Sequence, residues 1–128
     1  AGRLYAELIT LFLTRELGAG REGQDAVIRH RLQEVWRLVD ARLGHPWTVA
    51  ELAAHACVSQ THLHRLVRQH CHISPMAMVT RLRMVRAREL LRQGLAVHQV
   101  AAQVGYDNPF SFSTAFRRYW GASPRESR

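Results

Sequence analysis

The sequence predicts an all-α fold: two helix-turn-helix subdomains joined by a long central helix, plus an N-terminal helix from a preceding regulatory domain or linker. Three observations carry this. Apolar residues recur at spacings of three and four along nearly the whole chain, and no stretch shows the β-branched alternation of a strand. A unit of short helix, sharp turn and second helix occurs twice, at about 48–70 and about 96–120. Between the copies, about 75–93, runs an unbroken helical stretch opened by a proline and closed by a glycine.

Each element follows from local signals. From Leu4 to Leu17, Leu4, Leu8, Leu11 and Phe12 trace one stripe, and Ile9 and Leu13 widen it, so a helix here packs on two sides. Gly18-Ala19-Gly20 ends it and Arg21-Glu22-Gly23 prolongs the break, which divides the chain into 1–22 and 23–128. A second helix runs from about Asp25, as N-cap, to Leu43. Val27, Ile28, Leu32, Val35, Trp36, Val39 and Leu43 form its apolar face; Gly44 stops it and His45-Pro46 bars continuation. Thr48 caps the helix Val49 to Ala56, with Glu51 completing a capping box. Cys57-Val58 is the turn, and Ser59 caps a helix from Gln60 to about His70. His72-Ile73-Ser74-Pro75 breaks the chain before the long helix, which ends at Gly94.

The second copy repeats the pattern. Val97 to Val104 is the short helix, Gly105-Tyr106 the turn, and Asp107 or Asn108 caps a helix reaching about Trp120, closed by Gly121 and Ser123-Pro124. Leu52, Ala53, Val58, Leu63 and Leu66 face inward in the first unit. Val97, Val100, Ala101, Gly105, Tyr106, Phe112 and Phe116 do so in the second. Ala53 and its counterpart Ala101 must be small because the second helix crosses close to the first there.

Charge names the class of partner. The chain carries +8 over 128 residues. Residues 1–44 hold seven Arg against six acids, whereas 45–128 hold eleven Arg against only Glu51, Glu89, Asp107 and Glu126. A polyanion therefore belongs to the later part. All eighteen basic residues are Arg, which suits bidentate contacts to phosphate and guanine, though absence of Lys also fits a GC-rich genome. Cys57 and Cys71 have no metal or redox spacing, so a reducing cytoplasm is the default compartment. No apolar run reaches a membrane span, and no secretory leader is visible. The start at Ala1 fits a piece of something longer.

Once the apolar positions face inward, the outer faces are set. Thr61, His64, Arg65 and Arg68 align on the second helix of the first unit; Phe110, Ser111, Thr114, Arg117 and Arg118 do so on the other. Such helices fit the DNA major groove, with N-terminal residues at base edges and later ones at phosphates. Thr61, His62, His64, Arg65, Phe110, Ser111 and Thr114 are the candidate base contacts, Arg65 for a guanine and Phe110 for a thymine methyl. Ser59, Arg68, Arg83, Asn108, Arg117 and Arg118 are the candidate phosphate contacts. The joining helix, about 18 residues, spans roughly 27 Å. It can hold the two reading helices about one DNA turn apart, roughly 34 Å, a fixed spacing that asks the DNA to bend. Of its residues, Met84, Ala87, Leu90 and Leu91 form the core side, and Arg81, Arg83, Arg86, Arg88 and Arg92 divide between phosphates and ion pairs.

The run Arg81-Leu82-Arg83-Met84-Val85-Arg86-Ala87-Arg88-Glu89-Leu90-Leu91, then Val97, Val100, Ala101, Gly105 and Tyr106, then Asn108-Pro109-Phe110-Ser111-Phe112-Ser113, Phe116-Arg117-Arg118, Gly121 and Ser123-Pro124, resembles the AraC/XylS family of bacterial transcription regulators over about residues 30–128. The resemblance implies a cytoplasmic, nucleoid-associated transcription factor, usually an activator that contacts RNA polymerase. It also implies a small-molecule effector bound only through a missing N-terminal domain, which can mediate a homodimer; the helix at 4–17 resembles the tail of such a domain. Cys57 departs from the family pattern, standing where the turn often carries Gly, so either a slightly different first turn or an unusual backbone at Cys57 is expected. Val67 replaces a frequent Phe, Thr114 a frequent Arg, and Pro109-Phe110 commoner polar residues.

Other readings stand beside this one. His62, His64, His70, Cys71 and His72 have the composition of a metal- or thiol-dependent sensor, although His62 and His64 point roughly opposite ways on a helix. Paired carboxylates, a nucleophile motif and a phosphate-cradling glycine loop are all missing, so neither catalysis nor a cofactor or bound metal is expected. Trp36 and Trp47 read as core, Tyr119 and Trp120 as the seal of the second unit.

Overall fold

A computed structural model describes residues 24–127. The expected helix at 4–17 and its relation to a preceding domain lie outside the described residues. Within them the chain forms α1 (Gln24–Ala41), α2 (Val49–Ala56), α3 (Gln60–Cys71), α4 (Pro75–Arg92), α5 (Val97–Gln103) and α6 (Pro109–Trp120), with no strand. The fold is the expected all-α arrangement. At one start the chain departs from expectation: α1 already includes Asp25, which is therefore not its N-cap.

The remaining starts obey their capping chemistry. The hydroxyls of Thr48, Ser59 and Ser74 accept from the backbone N–H groups of Glu51, His62 and Ala77 at 3.2, 3.1 and 3.2 Å. Asn108, not Asp107, caps α6: its Oδ1 accepts from Ser111 N–H at 2.8 Å. Each side chain satisfies a donor that the first turn leaves without a helical partner. Alanine at 96 cannot do this, and Gln99 instead reaches back to accept from Ala96 N–H at 3.0 Å. Glu51 is further engaged by His45, whose Nε2 lies 2.6 Å from its Oε2. That hydrogen bond holds the Glu51 carboxyl below its ordinary range.

The apolar positions condense into two cores. The first unites Leu32, Val35, Trp36, Val39 and Leu43 with Trp47, Leu52, Ala53, Leu63, Leu66 and Val67, and with Met78, Val79 and Leu82 of α4. The second joins Met84, Ala87, Leu90 and Leu91 of α4 to Val100, Ala101, Val104, Phe112 and Phe116. Thus α4 has two core sides rather than the single one expected. At 100° per residue its N-terminal half and C-terminal half turn roughly opposite faces to the two units. Trp47 Nε1 donates to Arg42 O at 2.9 Å, and Trp120 Nε1 to Met84 O at 3.2 Å.

The units also touch directly. The turn after α1 meets the turn after α5: a Cβ on Gly105 would lie 2.9 Å from Leu43 O and 3.2 Å from the Arg83 guanidinium. Arg83 ties this junction. Its Nε donates to Leu43 O at 3.1 Å and its Nη2 to His45 O at 2.8 Å. Beside it, Arg86 Nη2 lies 3.8 Å from Asp40 Oδ1, a buried oxygen that accepts no hydrogen bond among the described residues. Burial outweighs the attraction of Arg86 and pushes the Asp40 carboxyl from 3.8 up to about 6.

Two outcomes follow. Gly105→Ala, at φ +95 and against a backbone oxygen, is expected to lower unfolding stability by about 1–3 kcal/mol. Gly94→Ala, at nearly the same φ but with nothing within 4 Å, should cost less; denaturant melts of both variants give the comparison. Asp40 takes up its proton more readily folded than unfolded. The stability it contributes is therefore present at low pH and lost as pH rises from about 4 through about 6. Solvent screening reduces this to about 1 kcal/mol. In melts across that range, Asp40→Asn should remove this fall.

Candidate nucleic-acid interface

The two second helices of the repeats, α3 and α6, present the outward faces. On α3, Leu63, Leu66 and Val67 are buried, which leaves Thr61, His64, Arg65 and Arg68 exposed within about 100° of arc. On α6, burial of Phe112 and Phe116 turns out Phe110, Ser111, Thr114, Arg117 and Arg118. Neither helix contains an acidic residue, so no carboxylate on either helix offsets these arginines, and each helix N-terminus adds its own partial positive charge.

The predicted residues do not all join these faces. His62 is half-buried and borders a shallow groove with Val27, Ile28, Arg31, Cys57 and Val58. Ser59 and Asn108 are exposed, but their side-chain oxygens serve as helix caps. Arg83 stands apart, half-buried with its guanidinium on two backbone carbonyls. Removal from water holds its pKa below the ordinary arginine value. Arg88 also turns inward: its guanidinium stacks 3.6 Å from the centroid of the Trp120 ring.

Sequence reasoning passed over two exposed residues. Gln60 opens α3 beside the expected readers. Arg125 flanks a groove shared with His98 and Phe110. Gln60 was findable as the residue after the cap. Arg125 was not, because it follows the closing Ser123-Pro124, where helical periodicity gives no guidance.

Of the two alternatives expected for the turn of the first unit, the structure shows the unusual backbone at Cys57. Cys57 ends α2 at φ 59, ψ 40, the left-handed conformation that its counterpart Gly105 also approaches at φ 95. Its amide still closes the helix by donating to Ala54 O at 3.1 Å. The histidine and cysteine side chains do not converge. Cys71 is buried and Cys57 exposed, and no three His, Cys, Asp or Glu groups among the described residues could hold a metal ion. Among the described residues no helix is long and apolar enough to cross a membrane.

This architecture recurs in solved structures. An AraC-type DNA-binding domain-containing regulator from Chromobacterium violaceum superposes with a TM-score of 0.72 and 30% identity, over 78% of this chain and 90% of that one. The DNA-binding domain of AdpA, solved in complex with a target DNA, superposes with a TM-score of 0.69 and 29% identity, over 75% of this chain and 87% of that one. A family model described as a helix-turn-helix domain matches residues 52–128. The chain belongs to the AraC family. Among its AraC-family relatives, the regulator GbdR of Pseudomonas aeruginosa is 32% identical over 133 residues, covering 98% of this chain and 36% of that protein. The transcriptional activator RhaS of Escherichia fergusonii is 32% identical over 126 residues, covering 98% of this chain and 44% of that protein. The chain thus spans less than half the length of these AraC-family relatives.

The left-handed Cys57 generates a prediction. Cys57→Gly should raise stability by about 0.5–1 kcal/mol, since relief of backbone strain outweighs the added freedom of the unfolded chain. Chemical denaturation reads it directly, and a loss of stability would mean that the cysteine side chain contributes more than its backbone costs.

Proposed function

We propose that this chain is the DNA-binding part of a transcription regulator that places α3 and α6 in successive major grooves of promoter DNA. The observation that carries the reading is the pair of exposed, acid-free, arginine-bearing helix faces, one on each repeat. The complex of AdpA with its target DNA supports it by analogy of fold. In this reading Arg65 pairs with a guanine, and His64 and Thr61 read neighbouring bases, with His62 at the margin. Ser111 and Thr114 meet bases from α6. Arg68, Arg117 and Arg118 meet phosphates, aided by the capped helix starts at Ser59 and Asn108. The junction at Gly105 and Arg83 sets the spacing, so Arg83 acts on DNA binding through geometry.

The whole regulator would work in the cytoplasm at the nucleoid, without catalysis. RhaS is named an activator, which favours activation through RNA polymerase here too. Effector binding and homodimerisation would belong to a domain preceding this one.

Fluorescence anisotropy with selected and random duplexes over a salt series tests this. Arg65→Ala should weaken binding to the selected duplex by about 1–3 kcal/mol while sparing random DNA. Arg117→Ala should weaken both and lower the salt slope by about one. Equal, weak binding of the wild type to every duplex would sink the proposal.

A further inference from the structure

Phe110 stands apart in chemistry from Ser111, Thr114 and Arg117, the polar side chains exposed beside it on α6. It is 84% exposed, against 49% for Val27 and 39% for Tyr119, the other exposed large apolar side chains among the described residues. Its place is specific: the second residue of α6, on the same face as Ser111, Thr114 and Arg117. Its launch point is fixed, because Pro109 presets the first helical residue and Asn108 locks the first turn through its 2.8 Å bond to Ser111 N–H. The ring turns about only two side-chain torsions, so holding it in a contact costs little conformational entropy.

The two reading helices differ in chemistry at their N-terminal halves. α3 exposes Thr61, His64 and Arg65, and so offers a forked donor and an imidazole. α6 exposes Phe110, Ser111 and Thr114, and so offers one phenyl ring and two short hydroxyls. A phenyl ring cannot read the donor and acceptor pattern of a base edge. The one apolar feature of the major-groove floor is the methyl group on C5 of thymine.

Resting on the proposed DNA-binding reading, we infer that Phe110 is a specificity-determining residue that makes the second repeat a reader of pyrimidine C5-methyl groups. The first repeat then discriminates by hydrogen bonds, the second by a methyl contact. Cytosine bears no such group, but 5-methylcytosine does. The second half-site should therefore accept 5-methylcytosine in preference to cytosine.

The test uses the 128-residue chain and a duplex selected from a random pool. Each thymine of the half-site under α6 is replaced in turn by deoxyuridine, which removes only the methyl. One such replacement should weaken wild-type binding about fourfold, the effect of returning one methyl-sized group to water. Phe110→Ala should bind the thymine and deoxyuridine duplexes equally. A cytosine to 5-methylcytosine exchange at the same position should strengthen wild-type binding about fourfold and leave Phe110→Ala unmoved. Because Phe110 is exposed, the variant should keep the wild-type melting curve. Sequence-selective binding that is indifferent to every deoxyuridine, or a methyl effect that survives in Phe110→Ala, overturns this inference and leaves the DNA-binding reading intact. Loss of all sequence preference in the wild type overturns both.

Discussion

The arrangement of the whole domain depends on one crowded junction, where the carbonyl groups of Leu43 and His45 meet the guanidinium of Arg83 and the bare backbone of Gly105. The turn after α1 leaves the Leu43 carbonyl without a helical partner, and a half-buried carbonyl left unpaired costs roughly 1–3 kcal/mol; the His45 carbonyl already accepts from Trp47 N–H at 2.9 Å. Arg83 satisfies the Leu43 carbonyl and adds a second bond to that of His45 from a single planar group, which a lysine could not do with the same fixed geometry. Its charge, partly removed from water, is supported by charge-assisted hydrogen bonds to two neutral acceptors. Gly105 lets the second unit close to contact distance. Two separately cored units thereby acquire one fixed relation.

Most of the fold was legible in the sequence because its signals are local. Thr48, Ser59 and Pro75 announce helix starts by chemistry that acts within one turn. The paired positions Ala53 and Ala101, and Cys57 and Gly105, announce the repeat. What escaped depends on contacts distant in the chain. Arg83 sits on a helix with four other arginines, and residue type alone cannot separate an arginine that meets DNA from one that meets a carbonyl forty residues away. The second core side of α4 escaped for the same reason: Met78, Val79 and Leu82 point away from Met84 and Ala87, and a single-face reading of the periodicity discards one set. The outward face of α3 was readable, since burial of Leu63 and Leu66 dictates it. The inward turn of Arg88 onto Trp120 was not.

The arginines divide by environment rather than by helix. Those on α3 and α6 project into solvent with no acid on their own helix, where their charge reaches furthest. Arg83, Arg86 and Arg88 on α4 are each drawn against protein: carbonyls, the Asp40 carboxylate and an indole ring. A basic composition thus supplies both a partner-facing field and internal ties.

The two opposed apolar faces of α4 have a consequence for how such a chain can vary. One inserted or deleted residue between Leu82 and Met84 would swivel one unit by about 100° relative to the other and slide it by about 1.5 Å. Either Arg83 would lose its carbonyls or the second core would lose its floor. Loops elsewhere in a small domain absorb length changes readily. This stretch cannot, so the middle of α4 acts as an angular gauge, and its residue count is as much a determinant of the domain as any side chain it carries.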